Sequence, residues 1–426
     1  MNRELTILTL AAAMMSGCSS TDVEQTYEEQ LQTSLQVPVA FGTFVGNAAD
    51  TRAGAGKTGS IQGQGTTTST AVLAQKGGFG VFAFQTDNGR YQSATSPINF
   101  MYNEHVTSAD DGNTWTYAPQ KFWPNEHSTS NTIGASVPAN GDVEKLDRLS
   151  FQAYAPWTGD TANGYAYADD LNEGGTEVGI TGFNANSALG DVIVSYRSAN
   201  RPENSVDLLY ARNADSDAAG GLKDQLKPST GSKVRLEFVH ALARMDLAVR
   251  AVFDDTDPES TKDFKGDFSQ NDNKTVIALQ SVTLTSAKLG VSGDLNLRTG
   301  KWSNFTKGGT LSISGSDIAL TDGKVTHQWQ QLMPEGRYFM FVPTDEAATD
   351  FTVRVKYTVT TEDPALSASN SVVTNEITNT VSFKPEKCKA YRLRLVLGMT
   401  TVKLSAEVTD WTASDVSPVW VPVNKN

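Results

Sequence analysis

Residues 351–360, FTVRVKYTVT, place Phe351, Val353, Val355, Tyr357 and Val359 on one face and Thr352, Arg354, Lys356, Thr358 and Thr360 on the other. A strict period of two, rich in β-branched residues, is the pattern of a strand with one apolar face and one wet face. The pattern recurs on both sides of this stretch. In YRLRLVLG, residues 391–398, Leu393, Leu395 and Leu397 turn inward, and in TVKLSAEVTD, residues 401–410, Val402, Leu404, Ala406 and Val408 do the same. Upstream, Val234, Leu236 and Phe238 alternate, and GVSGDLNLRTGKW, residues 290–302, carries Leu295 and Leu297 ahead of Thr299-Gly300, which reads as a hairpin turn. Helical periodicity is scarce. FVHALARM, residues 238–245, spaces Phe238, Leu242 and Met245 at i, i+4 and i+7 and predicts one short helix. Many short strands with few helices indicate an all-β protein of antiparallel sandwich type.

The chain has 426 residues, 38% of them apolar, enough for two domains of ordinary size, each with its own core. The polar, Gly-rich stretch 211–233 sets the expected boundary, with a first domain over 35–222 and a second over 223–426. Lys and Arg total 35 against 48 Asp and Glu, a formal charge of −13, which disfavours electrostatic binding to nucleic acid or an anionic lipid surface. The charged fraction is 19%, low for a disordered chain.

The N-terminus reads as an export signal over residues 1–17. Arg3 is a minimal positive region, Leu5 to Met15 form a short apolar run, and Met15-Ser16-Gly17 leads into Cys18. This is the arrangement of a bacterial lipobox, in which the chain is cut before the cysteine and Cys18 takes the acyl chains. The alternative is an ordinary signal peptide with an incidental cysteine. If Cys18 is acylated, Cys388, the second of the chain's 2 cysteines, has no intramolecular partner. Residues 18–34 are polar and acidic and read as a tether. In LQVPVAFGTFV, Leu35, Val37, Val39, Phe41 and Val45 share one face, and Pro38 assigns the strand to a sheet edge. The Gly-, Ala- and Thr-rich segment 46–70 that follows has no period and reads as exposed chain.

No chemistry-bearing constellation emerges. The histidines at 105, 127, 240 and 327 stand alone, without zinc-ligand spacing, and His240, beside an alternating strand, reads as a packed structural residue. There is no nucleophile elbow, no phosphate-binding loop and no Cys/His pair, so neither an enzyme nor a cofactor is expected. GGFG, residues 77–80, lacks the Lys-Ser/Thr of a phosphate loop and is explained by a strand start. The acidic stretch 254–273 is either a calcium site or a solvated surface loop, and it lacks the spacing of an EF-hand. Trp115, Trp123, Trp302 and Trp411 form a carbohydrate platform only if exposed together; otherwise they are core residues.

Taken in order, the lipobox, TRA at 51–53, WTYAPQKFWPNE at 115–126, LSFQAYAPW at 149–157, DLLYAR at 207–212, VRLEFVHALARMDLAV at 234–249, GDLNLRTGKW at 293–302, YFMFVPT at 338–344 and YRLRLVLG…VKLSAEVTDW at 391–411 resemble the Bacteroidota fimbrillin family. These are the Mfa-like, lipoprotein-derived pilus subunits with their anchor and tip proteins. The resemblance covers nearly the whole chain. It implies two transthyretin-like β-sandwich domains in series, and a fimbrial subunit at the outer membrane or cell surface that assembles with other subunits by strand exchange. It further implies that an arginine-specific protease cuts between Arg52 and Ala53 and removes the first strand, residues 35–52. The groove plugged by Leu35, Val37, Val39, Phe41 and Val45 then receives a donor strand, for which DVSPVWVPV offers Val419, Val421 and Val423 on one face. TRA is also compatible with a plain loop in a permanently lipid-anchored relative, and a host glycan or protein ligand is compatible with either role.

Overall fold

The structure, a computed structural model, describes residues 37–45, 72–86, 90–124, 147–159, 172–184, 187–212, 222–227, 233–252, 275–334, 336–362, 365–367, 370–410 and 419–421. The first strands are β1 (Phe41–Val45), β2 (Phe79–Thr86), β3 (Met101–Val106), β4 (Arg148–Ala155), β5 (Asn172–Glu173), β6 (Thr176–Glu177), β7 (Gly179–Phe183), β8 (Ile193–Arg197), β9 (Leu209–Ala211) and β10 (Val234–His240). They are followed by β11 (Ala243–Ala251), β12 (Thr275–Asn296), β13 (Lys301–Ser314), β14 (Lys324–Val325), β15 (Gln330–Gln331) and β16 (Phe339–Phe341). The last are β17 (Thr349–Glu362), β18 (Asn370–Phe383), β19 (Lys389–Leu397), β20 (Val402–Asp410) and β21 (Val419–Val421). Helix among the described residues amounts to one turn at 72–75 and short 3-10 turns, so the all-β expectation holds.

The first sheet runs β1-β10-β9-β4-β2-β3. Its strand β2 is buried on both faces: Phe79, Val81 and Ala83 enter one core, with Trp115, Trp123, Phe151 and Phe238, while Phe82 and Phe84 enter another. A second sheet runs β15-β11-β19-β20-β21, and a third runs β18-β17-β12-β8-β7. They face each other across a core built from Met245, Leu247 and Val249 of β11, Leu393 and Leu395 of β19, and Phe351, Val353, Val355 and Tyr357 of β17. Pairing is antiparallel throughout except where β1 lies parallel to β10 and β11 parallel to β19.

Strand β12 is the connecting element. Residues 275–285 pair with β17 and residues 292–296 with β8, while β13 runs alongside from Ser281 to Asn296. Leu295 and Leu297 therefore pack with Phe82, Tyr154 and Tyr210 from the first sheet and Met340 and Val342 from beyond β15, in a core that joins both halves of the chain.

FVHALARM is not a helix. Val234–His240 is a strand, residues 241–242 turn the corner, and Ala243 begins the next strand. The helical spacing arises because Phe238, Leu242 and Met245 are all fully buried, but each in a different core. Backbone pairing of β10 with β9 and of β11 with β19 decides the conformation over the side-chain period. The chain leaves the first sheet at this corner, after the polar stretch 211–233, since the hydrogen-bond partners of β10 are β9 and β1.

Candidate functional site

Residues 37–45 form a strip wedged between two neighbours. Its first part runs antiparallel to the 121–123 segment: Val39 N donates to Lys121 O at 2.9 Å and Trp123 N donates to Val37 O at 2.9 Å. Its second part, β1, takes the outer edge of the first sheet, with Phe41 opposite Val234 and Val45 opposite Phe238. Pro38, which donates no backbone hydrogen bond, falls in the part flanked by 121–123 and not in the β10 ladder, the edge placement its chemistry requires.

The side chains alternate as the sequence predicts. Val37, Val39 and Phe41 are 7%, 0% and 1% exposed. The Phe41 ring meets Phe79 at 6.1 Å, Tyr117 at 5.7 Å and Phe151 at 5.9 Å between centroids, the first and last edge-on. Burying these three side chains contributes roughly 1.5–3 kcal/mol each. A polar clamp adds to the apolar fit. Tyr117 Oη donates to Val39 O at 2.8 Å and accepts from Gln120 Nε2 at 2.9 Å, and Gln120 Nε2 also reaches Val39 O at 3.1 Å. Burial pushes the Tyr117 phenol up to about 12, so it holds its proton at neutral pH. Two of the tryptophans of WTYAPQKFWPNE, Trp115 and Trp123, are buried beside the strip, which makes them packing residues. Their indole Nε1 atoms, like Thr43 Oγ1 on the strip, are buried without a hydrogen-bond partner among the described residues. The clamp formed by Tyr117, Gln120 and Lys121 is a role the sequence alone leaves unassigned. The only signal for it is the concentration of aromatic and amide residues in that segment.

Of the other residues singled out, Cys18, Leu35, Arg52, Ala53, Trp411, Val423 and the acidic stretch 254–273 lie outside the described residues. Val45 is placed by its backbone alone. Val419 and Val421 belong to β21, which pairs antiparallel with β20, Val419 opposite Val408 and Val421 opposite Ala406. The first strand and the terminal strand thus sit on edges of two different sheets.

The remaining motifs meet at the junction between the sheets. His240 Nδ1 lies 3.0 Å from Asp207 Oδ1, both fully buried. Cys388 Sγ donates to His240 O at 2.9 Å, and burial pushes its thiol up, the behaviour of an inert packed cysteine. Lys387 Nζ donates to Tyr210 Oη at 2.8 Å and to Gly300 O at 3.0 Å, and Trp302 Nε1 donates to Ala241 O at 2.8 Å. Gly300 has φ +63°, and a Cβ there would overlap the Tyr210 phenol, so the hairpin turn admits only glycine. DLLYAR, VHALARM and the GDLNLRTGKW turn are therefore joints of the scaffold.

Known proteins resemble this chain in sequence and in fold. A family model described as fimbrillin-like matches residues 66–411. Fimbrium subunit Fim1C of Phocaeicola vulgatus is 25% identical over 383 residues, covering 84% of this chain and 88% of that protein. The crystal structure of a fimbrial protein from Bacteroides vulgatus ATCC 8482 superposes with a TM-score of 0.57 at 19% identity, covering 88% of this chain and 99% of that one, and so shares its fold.

Proposed function

The chain belongs to the fimbrillin-like family, and from that premise we propose that it is a structural subunit of a surface fimbrium, exported as an outer-membrane lipoprotein through Cys18 and assembled with other subunits by strand exchange. An arginine-specific protease cuts between Arg52 and Ala53, releasing the segment that contains β1. The observation that carries the reading is the strip 37–45. It is an edge element close to the chain's start, held by three buried side chains and a backbone ladder, and followed by an arginine in a Gly- and Ala-rich stretch.

Its loss would uncover the outer edge of β10 and an apolar groove lined by Phe79, Tyr117 and Phe151, a combination that recruits an extended segment. Three features support exchange over simple loss. Parallel pairing of β1 with β10 is slightly weaker per residue than the antiparallel pairing an incoming strand can adopt. The buried polar atoms of Trp115, Trp123 and Thr43 have no hydrogen-bond partner among the described residues, which leaves donors and an acceptor for an incoming strand. The donor in this reading is the C-terminal segment with Val419, Val421 and Val423, of which the described residues Val419–Val421 pair with β20 at a sheet edge.

The test treats purified precursor with an arginine-specific protease and follows its size by light scattering and electron microscopy. Cleaved protein forms ladders or fibres and the Arg52→Ala variant stays monomeric. A cleaved protein that remains a folded monomer with residues 37–45 bound, or a natural surface form that begins at Cys18, replaces this reading with a permanently anchored lipoprotein.

A further inference from the structure

Strand β3 is the edge of the first sheet opposite to β1, and its pairing with β2 is interrupted. Val81 faces Glu104 and Ala83 faces Met101, so Tyr102 and Asn103 together oppose Phe82 in a β-bulge. Asn103 takes φ +46°, a left-handed conformation that asparagine tolerates better than most residues. A buried network holds it there: Tyr154 Oη donates to Asn103 Oδ1 at 2.7 Å, Asn103 Nδ2 donates to Thr158 O at 3.0 Å, and Trp157 Nε1 donates to Asn103 O at 3.3 Å. Gly80 makes room for it, since a Cβ there would overlap both the Tyr154 ring and Asn103 Oδ1. Bulges and left-handed non-glycine residues that the surroundings hold this firmly are concentrated at functional sites.

The bulge opens onto a hollow of about 540 Å³ between β3, the 116–118 segment and Trp157. One wall is aromatic. Trp157 and His105 stack with centroids 3.8 Å apart and planes at 9°, and Tyr102 is fixed by donating Oη to Asn184 O at 3.0 Å. Glu104 stands among them, half-buried, and its carboxylate has no hydrogen-bond partner among the described residues. Burial raises its pKa and Lys121 opposes the rise. Thr116 and Tyr117 complete the opposite side. No lysine or arginine is among the described residues that line the hollow, so its lining offers no guanidinium or ammonium to pair with a phosphate, sulfate or carboxylate.

We propose that this hollow binds a neutral sugar, its apolar ring face laid on the Trp157–His105–Tyr102 wall and its hydroxyls donating to the Glu104 carboxylate. The volume suits one or two sugar rings and lies in the usual range of small-ligand sites. A sugar fits better than a quaternary ammonium because its hydroxyls donate to the half-buried Glu104 carboxylate, whereas a quaternary ammonium has no donor. The wall is fixed before any ligand arrives, so little ordering is required on binding. The site lies at the opposite sheet edge from β1 but shares Tyr117 with the strip 37–45, so its test uses the uncleaved chain.

The test exposes the purified full-length chain to an array of immobilised oligosaccharides with neutral, sialylated and sulfated termini. Calorimetric titration with the retained sugar follows, with tetramethylammonium as a cationic control. The expected result is retention by neutral termini, with affinity lowered about tenfold or more in Glu104→Gln, the loss of one charge-assisted hydrogen bond, at unchanged melting temperature. Trp157→Ala abolishes binding; if that variant does not fold, Glu104→Gln alone decides. Retention of no glycan, a preference for anionic glycans or for tetramethylammonium, or wild-type affinity in Glu104→Gln overturns the proposal. A chain that polymerises on cleavage but retains no sugar overturns this proposal alone.

Discussion

Lys76 is 1% exposed, directly ahead of the glycine turn that starts β2. Burial first, and then the positive charge of Arg337, lower its ammonium pKa from 10.5 to about 8, with Asp207 pulling the other way. The unfolded chain holds that proton up to about pH 10.5 and the folded chain releases it near 8, so between those values the unfolded state binds more protons and stability rises with pH. At ~1.4 kcal/mol per pKa unit, the penalty is about 3 kcal/mol below pH 8. Lys76→Met removes it. The variant should lack the rise in stability that the wild type shows as pH goes from 8 to 10, read from melting temperatures across that range; an equal rise in both would refute this assignment. The sequence carries no sign of it, because a lysine beside Gly77-Gly78 reads as a surface turn. Only the packing around it reveals the burial. His240 is the contrary case: its place beside an alternating strand identified it as structural, and its pairing with Asp207 is what the fold adds.

Among the elements, the strip 37–45 was legible because its period of two and its proline fix both a buried face and an edge position. What holds its other side was not, since the 121–123 segment lies about eighty residues away in sequence and its contact is made through backbone groups that every residue has. Phe41 joins the two sides through Phe79, Tyr117 and Phe151. Phe41→Ala should lower unfolding stability by about 3–5 kcal/mol, read as a shift in the urea midpoint at unchanged slope. A change below about 1 kcal/mol would mean that the strip contributes little to the precursor's stability, which would remove the energetic basis for exchange.

For the molecule as a whole, β12 ties the two halves together through shared pairing and a shared core. It passes from β17 to β8 while staying paired with β13, and Gly290 sits at the crossing, where a Cβ would overlap Val342 O. Calorimetry of the full chain should therefore show a single transition, and Gly290→Val should lower it as a whole; two separated transitions would mean that the halves fold independently. The sequence by itself determined the all-β class, the inward faces of β17, β19 and β20, the edge position of the first strand and the glycine turn at 299–300. All of these follow from local chemistry: side-chain period, proline's missing donor, glycine's access to positive φ. Tertiary structure decided the rest. It turned FVHALARM into a corner between strands, set β1 parallel to β10, carried β12 across both halves and brought Glu104, His105 and Trp157 around one hollow. Each of these depends on which distant backbone edge or apolar face a segment meets, and a segment's own residues fix the face it buries but not the partner that covers it.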